Sequence, residues 1–292
     1  MPDDPKSAMR GAKKAGVRID FGSIAGLTIG LVGILGGLVL EGGKLKDVAQ
    51  LTAALIVLGG TTGAVLMSMP TKVVGGALRR VMGVFVERQD PPGALIDEVI
   101  GYAAKARKNG LVSLEQDAEH IHDPFLRKAL NLAVDGTDLQ EIRSMLNLEI
   151  DLECEHAEAE ARVFEAAGGY APTIGIIGAV LGLMQVMKNL ANIEEVGHGI
   201  AVAFVATVYG VGWANLLFLP VAAKIKARIH AGRQRKDLIV EAVGGIVEGL
   251  NPKLLRLKLE AYAPSAPKKK PNEKQVIVPD GAPAKTPAKS EA

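Results

Sequence analysis

Four uncharged apolar stretches, each close to the length of a membrane-spanning helix, constrain this chain more than any other feature. A helix needs about 20 residues to cross the hydrocarbon core of a bilayer. The stretches are residues 21–40, 48–69, 168–187 and 199–223. Because the buried helices of soluble proteins rarely offer four such windows, we predict an all-α integral membrane protein with four transmembrane helices.

The composition excludes several other classes of protein. The 34 basic and 32 acidic side chains nearly cancel, which argues against a nucleic-acid-binding protein. A single cysteine excludes a disulfide framework and a cysteine-rich zinc site. The five histidines are scattered, and His120 and His122 would point to different faces of a helix, so we expect no metal site. We also expect no cofactor and no enzymatic activity.

Basic residues near the helix ends predict how the chain crosses the membrane, because such residues concentrate on the cytoplasmic side. They are Lys6, Arg10, Lys13, Lys14 and Arg18 before the first stretch, Lys72, Arg79 and Arg80 after the second, and Lys224, Lys226, Arg228, Arg233, Arg235 and Lys236 after the fourth. We therefore expect both termini and the long middle loop in the cytoplasm, with the chain in a bacterial inner membrane. The first stretch is longer than a typical signal-peptide core, so we expect it to be retained.

The chain divides into six predicted segments. They are a cytoplasmic N-terminal segment (1–20), transmembrane helices 1 and 2 (21–69), a cytoplasmic helical domain (70–167), transmembrane helices 3 and 4 (168–223), a cytoplasmic C-terminal helix (224–262) and a Pro- and Lys-rich tail (263–292). The middle segment is too long for a passive connection and shows no alternating strand pattern, so we expect it to be all-helical. The tail lacks the apolar content to fold, which predicts disorder.

A long helix is predicted to begin at Asp138, an N-cap residue, and to continue into the third membrane stretch. Its apolar stripe consists of Ile142, Leu146, Ile150, Cys154, Ala157, Ala161 and Phe164. Its opposite face carries Glu149, Asp151, Glu153, Glu155, Glu158 and Glu160, which we interpret as a solvated face. Because Cys154 lies on the stripe, we expect a small buried hydrophobe and not a nucleophile.

Small residues recur at helical spacing in the membrane stretches, which favours close packing between helices in lipid. They are Gly22, Gly26, Gly30, Gly33 and Gly37 in the first stretch, Gly59, Gly60 and Gly63 in the second, Ala171, Gly175, Gly178 and Gly182 in the third, and Gly199, Ala203, Ala206, Gly210 and Ala214 in the fourth. Four spans enclose little interior, so we expect oligomerisation or a partner subunit.

No Asp, Glu, Lys, Arg or His lies inside the four stretches, although proton relays usually need an ionisable group in the membrane. A carboxylate for proton transport would therefore have to come from another chain. The neutral polar candidates for an ion path are Thr61, Thr62, Thr173, Thr207, Tyr209 and Asn215. Pro172 releases the carbonyl of Gly168, which predicts either a simple bend or a hinge beside an ion path.

The block APTIGIIGAVLGLMQVMKNL, followed by GHGIAVAFVATVYGVGWANLLFLPVAAKIKAR, resembles the signature of the MotA/TolQ/ExbB proton-channel family. The segments QLTAALIVLGGTTGAVLMSMP and ARKNGLVSLE, together with the order of the spans, resemble its MotA branch, the A subunits of flagellar motor stators. The resemblance covers residues 19–262. It implies five A subunits around two B subunits, a B subunit that supplies the ion-carrying aspartate, and an A ring that turns the rotor.

The resemblance also implies roles for single residues. Pro172 matches a proline that lies beside the partner's aspartate and is linked to torque, and Pro252 matches a second torque-related proline just past the last span. Arg107 and Glu115 match a charged pair that engages the rotor switch protein FliG. Sodium-type relatives carry threonine at two positions that are Ala179 and Thr207 here. Since alanine offers no oxygen ligand, protons are favoured over sodium.

Other functions stay open at this point. An ExbB- or TolQ-like energiser of cell-envelope processes would share the channel block, but such relatives have three spans. A sodium-driven stator and a structural membrane scaffold without ion flux are further alternatives. The partners that we expect are a MotB-type B subunit, the rotor, further copies of the chain and membrane lipid.

Overall fold

The computed structural model describes residues 16–84, 86–89 and 92–262. In chain order the elements are β1 (Gly16–Ile19), α1 (Phe21–Leu40), α2 (Leu45–Val48), α3 (Leu51–Ser68), α4 (Thr71–Val84), β2 (Val86–Gln89), α5 (Pro92–Asn109), a 3₁₀ turn (Leu111–Leu114), α6 (Glu115–Glu119), α7 (Pro124–Val134), α8 (Leu139–Lys188), α9 (Ile193–Val247) and α10 (Pro252–Glu260). Short π-helical segments interrupt α3 at Leu55–Gly59 and α9 at Ala214–Phe218. The predicted tail and most of the predicted N-terminal segment lie outside the described residues.

Four helices, α1, α3, α8 and α9, are long and apolar enough to cross a membrane. The prediction of an all-α, multi-pass membrane protein is therefore confirmed. The second span begins at Leu51 and not at Val48, because the backbone of Gln50 is extended and separates α2 from α3. One feature was not predicted: β1 pairs antiparallel with β2, from Gly16 opposite Gln89 to Ile19 opposite Val86. This short ribbon joins the chain before α1 to the chain after α4.

Two very long helices extend from the membrane stretches into the cytoplasmic domain. Helix α8 has 50 residues and α9 has 55, so they are about 75 Å and about 83 Å long. Asp138 caps α8 as predicted, since its side chain accepts a hydrogen bond of 2.8 Å from the backbone N–H of Gln140. The predicted separate C-terminal helix is wrong in part, because α9 runs on from the fourth span to Val247. Gly249, with a φ of +68°, then turns the chain into α10.

Within the membrane, α8 and α9 touch through their backbones. A Cβ added to Gly175 would lie 2.9 Å from the carbonyl oxygen of Ala206, and one added to Gly210 would lie 2.5 Å from that of Ala171. A Cβ on Gly182 would lie 2.8 Å from the backbone nitrogen of Ala203. The small-residue faces predicted for the third and fourth spans are buried at every position, which confirms that they pack closely.

Helix α1 differs from the other spans because none of its residues is buried. A Cβ added to Gly26, Gly33 or Gly37 would meet nothing within 4 Å, whereas one on Gly30 would lie 2.9 Å from the side chain of Leu216. The glycine face of α1 is therefore mostly open within one chain.

The cytoplasmic domain is built around the apolar stripe of α8. Six of its seven predicted residues are buried, and Cys154 packs half-buried against the same core. The opposite face is accessible to solvent, as interpreted: Asp151, Glu153, Glu155 and Glu158 are exposed, and Glu149 and Glu160 are half-buried. Four of these acids also form ion pairs with neighbouring helices: Glu149 with Lys128, Asp151 with Arg233, Glu153 with Lys236, and Glu160 with Arg80. Each exposed pair contributes little stability. Two of them, Asp151–Arg233 and Glu153–Lys236, join α8 to α9, whereas the other two join α8 to α7 and to α4.

The contact between α8 and α9 predicts different costs for two glycines in one helix. Gly210→Ala should destabilise the protein by about 1–3 kcal/mol, because the new methyl group meets backbone and cannot be accommodated by a side-chain shift. Gly212→Ala is the matched control, since a Cβ there meets nothing within 4 Å. Thermal unfolding of both variants in one detergent measures the difference. Equal unfolding temperatures would mean that the helices do not pack as described.

Candidate functional site

Pro172 and Thr207 lie at the closest approach of α8 and α9, which we call the crossing (residues 171–175 with 206–210). A Cβ added to Gly210 would be 3.2 Å from the Cα of Pro172, and one added to Gly175 would be 3.5 Å from the Cα of Thr207. Both side chains are half-buried. The structure therefore brings together two of the residues that the resemblance singled out.

Pro172 weakens the backbone of α8 next to an irregular part of α9. Proline has no N–H, so the carbonyl of Gly168 loses its donor within the helix. A Cβ on Gly168 would lie 2.6 Å from Cδ2 of Leu219, which follows the π-helical segment and precedes Pro220. The hydrogen bond that Pro172 removes from α8 and the π-helical segment of α9 therefore lie next to each other. Sequence reasoning missed Pro220, although a second proline near the end of a span is itself a visible signal.

Ala179 lies two helical turns beyond Pro172 on the same face of α8, about 10 Å along the axis. It is half-buried like Pro172, and its side chain offers no oxygen. The three predicted ion-pathway residues therefore occupy one side of the α8–α9 pair, with a single side-chain hydroxyl among them, that of Thr207.

The neutral polar groups of the spans mostly bond to their own helices. Three of them each donate to a backbone carbonyl three or four residues earlier. The hydroxyl of Thr207 donates to the carbonyl of Ala203 at 3.2 Å, the hydroxyl of Thr173 to the carbonyl of Tyr170 at 2.8 Å, and the side-chain amide of Asn215 to the carbonyl of Val211 at 2.9 Å. Tyr209 is different, because its hydroxyl donates to the carbonyl of Val48 at 2.6 Å and ties α9 to the end of α2. The hydroxyl of Thr61 is buried without a partner.

Around the level of the crossing, α8 and α9 each present an uncovered apolar face. That of α8 includes Ile176, Val180 and Met184, each at least half exposed, and that of α9 includes Phe204 and Val208. The spacing of three to four residues places the α8 side chains on one face of the helix. None of the residues that the structure describes covers either face, so both are available to lipid or to another membrane helix.

Arg107 and Glu115 lie on a tight turn of the cytoplasmic domain, which we call the α5–α6 tip (residues 105–117). Helix α5 ends at Asn109, and Gly110, with a φ of +83°, starts the 3₁₀ turn that leads into α6. Both side chains are exposed at the predicted positions, on either side of this turn. An ion pair that the sequence did not reveal closes the tip: Nζ of Lys105 lies 2.6 Å from Oδ2 of Asp117.

Pro252 does not lie where the resemblance placed it. It is the first residue of α10, behind the N-cap Asn251, whose side chain accepts a hydrogen bond from the N–H of Lys253. Helix α10 belongs to the cytoplasmic core through Leu255 and Leu259, both fully buried. Because α9 continues to Val247, Pro252 lies well beyond the fourth stretch and not just past it, while its link to torque stays a prediction. Pro220 lies near the end of the fourth stretch itself.

Asp20 is the one charged side chain that is buried among the described residues, and sequence reasoning missed it. It caps α1 by accepting from the N–H of Ser23 at 3.1 Å, and its other oxygen lies 2.5 Å from Nζ of Lys224 and 3.6 Å from Arg228. Arg228 also donates to the carbonyl of Gly83 at the end of α4. The carboxylate thus anchors the cytoplasmic end of α1 to the extension of the fourth span.

The hydrogen bond from Lys224 and the N-cap bond from Ser23 lower the pKa of Asp20 from 3.8 to about 2. The carboxylate therefore stays charged at any physiological pH.

In residues 16–84, 86–89 and 92–262 no three His, Cys, Asp or Glu side chains stand together as a set of metal ligands. Nδ1 of His120 lies 2.9 Å from the carbonyl oxygen of Gln116 on its own helix.

Two family models match this chain. The MotA/TolQ/ExbB proton channel family matches residues 117–237, and the motility protein A N-terminal model matches residues 24–102. Motility protein A of Bacillus subtilis is 34% identical over 85% of this chain and 92% of its own length. Chemotaxis protein PomA of Vibrio alginolyticus is 32% identical over 84% of this chain and 95% of its own length.

Two solved structures share the fold. The C. jejuni MotAB structure superimposes with a TM-score of 0.81 at 32% identity, over 85% of this chain and 97% of that chain. The flagellar MotAB stator complex from Bacillus subtilis gives a TM-score of 0.78 at 34% identity, over 84% of this chain and 96% of that chain. Both likenesses extend over the spans and the cytoplasmic domain together.

The Asp20 anchor predicts a stability difference that depends on pH. Because the folded-state pKa is lowered, the stabilisation is present above about pH 4 and is lost as the pH falls towards 2. Asp20→Asn should therefore lower the unfolding temperature at neutral pH, and the gap to the unmodified protein should close in acid. Asp97→Asn is the control, since Asp97 pairs with Arg256 on the exposed surface. A gap that does not change between pH 7 and pH 3 would contradict the anchor.

Proposed function

The chain belongs to the MotA/TolQ/ExbB proton channel family, and from that membership we propose that it is the A-type subunit of a flagellar motor stator. In this role it conducts protons into the cell together with a MotB-type partner and converts the flow into torque on the rotor. Its similarity to motility proteins A over more than four fifths of its length supports this function.

One observation carries the proposal: the membrane crossing is neutral and is flanked by an uncovered apolar face. The spans contain no ionisable side chain, so the chain by itself has nothing in the membrane that can bind and release a proton. The exposed side chains beside Pro172 and Thr207 leave room for a further helix. A partner helix with an aspartate at this level would supply the missing group.

The proposed mechanism follows from the cost of a charge in lipid. A proton from outside neutralises the partner's aspartate at the level of Pro172 and Thr207, which removes much of the penalty for holding a carboxylate there. The A ring then steps relative to the B subunits, and the proton leaves towards the cytoplasm. The membrane potential supplies about 2.3 kcal/mol per charge for each 100 mV. Because α8 is one continuous helix and α9 continues through its π-helical segment into the cytoplasmic domain, movement at the crossing reaches that domain directly.

Protons fit the site better than sodium. A sodium ion must exchange its water shell for several oxygen ligands, and Ala179 offers none. The hydroxyl of Thr207 donates its hydrogen within its helix and keeps its lone pairs, so it offers one oxygen ligand and not the several that sodium needs. A proton needs only a carboxylate and a short chain of water.

The proposed assembly has five copies of this chain around two B subunits in the bacterial inner membrane, surrounded by lipid. Both termini lie in the cytoplasm, as the basic residues after the second and fourth spans favour. The open glycine face of α1 and the uncovered faces of α8 and α9 are the surfaces that neighbouring copies and partner helices would cover. The α5–α6 tip contacts the rotor switch protein FliG through Arg107 and Glu115.

An ExbB- or TolQ-like energiser fits the chain less well. The MotA/TolQ/ExbB model matches only from residue 117, whereas the first two spans match a model specific to motility protein A. The four candidate spans also favour the motility protein A type, because ExbB- and TolQ-like relatives have three.

Proton flux in liposomes tests the proposed function. The purified chain alone should give no flux above empty liposomes under a membrane potential, because its spans hold no titrating group. Reconstitution with a MotB-type partner should give flux, and replacing the partner's membrane aspartate with asparagine should abolish it. Flux from the chain alone would contradict the proposal, as would flux that survives the loss of that aspartate.

Pro172→Leu tests the crossing. Leucine restores the N–H and closes the helical hydrogen bond to Gly168, so the variant should assemble with its partner but drive no swimming. Pro124→Leu is the matched control and should leave swimming intact, because Pro124 is an exposed first residue of a cytoplasmic helix. Swimming speed and co-purification of the partner are the two measurements. Normal swimming of the Pro172 variant would remove this proline from the mechanism.

A further inference from the structure

We infer that Val112 is the apolar contact residue at the centre of the α5–α6 tip, between the charges of Arg107 and Glu115. This inference rests on the proposed function and names the side chain that keeps the tip bound to the rotor once the charges have guided it there.

The 3₁₀ turn determines where Val112 points. Side chains three residues apart eclipse in a 3₁₀ helix. Leu111 and Leu114 share the inward face: Leu114 is fully buried, and Leu111 packs partly buried against the domain core. Val112 is therefore turned outward and lies on the same side as Glu115, three residues on.

Val112 is exceptional in this part of the domain. Its side chain is 68% exposed, and it is the only large apolar side chain exposed in residues 92–138, all of which the structure describes. The other large apolar residues of α5 and α7 are buried in the core or packed partly buried against it. An exposed valine here gains nothing from folding, and its place between two partner-reading charges makes a binding role the simplest account.

The tip is held in a fixed shape. The ion pair between Lys105 and Asp117 closes its base, and the hydroxyl of Ser113 donates to the carbonyl of Gly110 at 2.7 Å. Because the turn is already ordered, binding costs little conformational freedom. Lys105 and Asp117 are thus positioning residues, whereas Val112 makes the contact.

The charges around Val112 define the surface that it fits. Arg107 and Lys108 are exposed on one side and Glu115 on the other. The matching rotor surface has an acidic group opposite Arg107, a basic group opposite Glu115 and a shallow apolar depression between them. Exposed charges mainly raise the association rate and weaken with salt, whereas a buried apolar contact mainly slows dissociation.

The test measures binding of the purified stator complex to the purified rotor switch protein at low and high salt. Val112→Ser should speed dissociation by about three- to tenfold at both salt concentrations, which is the effect of losing one buried valine contact. Val112→Leu should keep the dissociation rate near normal. Arg107→Glu should instead slow association, and its effect should shrink at high salt. Leu257→Ser is the matched control, since Leu257 on α10 is also 68% exposed.

The outcomes separate the inference from the proposed function. If Val112→Ser binds like Leu257→Ser while Arg107→Glu still weakens association, the inference is wrong and the tip remains the rotor contact. If the stator complex does not bind the switch protein, or if neither tip variant changes binding, the proposed rotor role of the tip fails as well. Unfolding temperatures of the tip variants equal to that of the unmodified complex show that the turn is intact. If Val112→Ser lowers the unfolding temperature, the inference is tested by the other results. It stands if Val112→Leu keeps the normal dissociation rate and Val112→Ser speeds dissociation equally at both salt concentrations, and it fails otherwise.

Discussion

The structure depends on the backbone contact between α8 and α9 inside the membrane. Lipid tails are as apolar as leucine, so two helices gain little by hiding large side chains from lipid and associate through close packing instead. Gly175, Gly182 and Gly210 allow that approach, since a single methyl group at any of them would meet backbone atoms. The contact makes the two longest helices one stiff body. It also sets Pro172 and Thr207 side by side, and it carries any movement at that level into the cytoplasm.

A second constraint is the absence of charge from the spans. Burying an ionisable group in lipid is costly, and this chain avoids the cost completely. The charged groups lie instead at the membrane boundary and beyond it, in the Asp20 anchor and in the ion pairs that align α9 on α8. A chain built in this way supplies the uncharged surround of an ion path and long helices that transmit movement to the cytoplasm. Under the proposed function the titrating acid belongs to the partner, so neither chain alone completes the ion path.

In the cytoplasmic domain, the residues that hold the α5–α6 tip in place differ from the residues that the tip exposes. Leu111 and Leu114 fill the core side of the 3₁₀ turn, while Arg107, Val112 and Glu115 stand on its outer side. The Asp20 anchor and the β1–β2 ribbon have a similar role at the membrane boundary, where they fasten α1 to the rest of the chain. Among the described residues helix α1 has few other contacts, and its glycine face is mostly open.

Local patterns in the sequence determined the four spans, the N-cap at Asp138, the buried stripe of α8 and the small-residue faces, because each depends on residues close together in the chain. The tertiary structure decided the rest, because it depends on which distant residues meet. Only the fold shows that Glu149 pairs with Lys128 and Glu153 with Lys236, and that Asp20 meets Lys224, about two hundred residues away in the chain. Likewise only the fold could show that Pro252 lies in the cytoplasmic core and that Pro220 lies beside Gly168. The effect of a proline on its own helix can be predicted from the sequence, but the residues that lie beside it depend on how distant segments pack together.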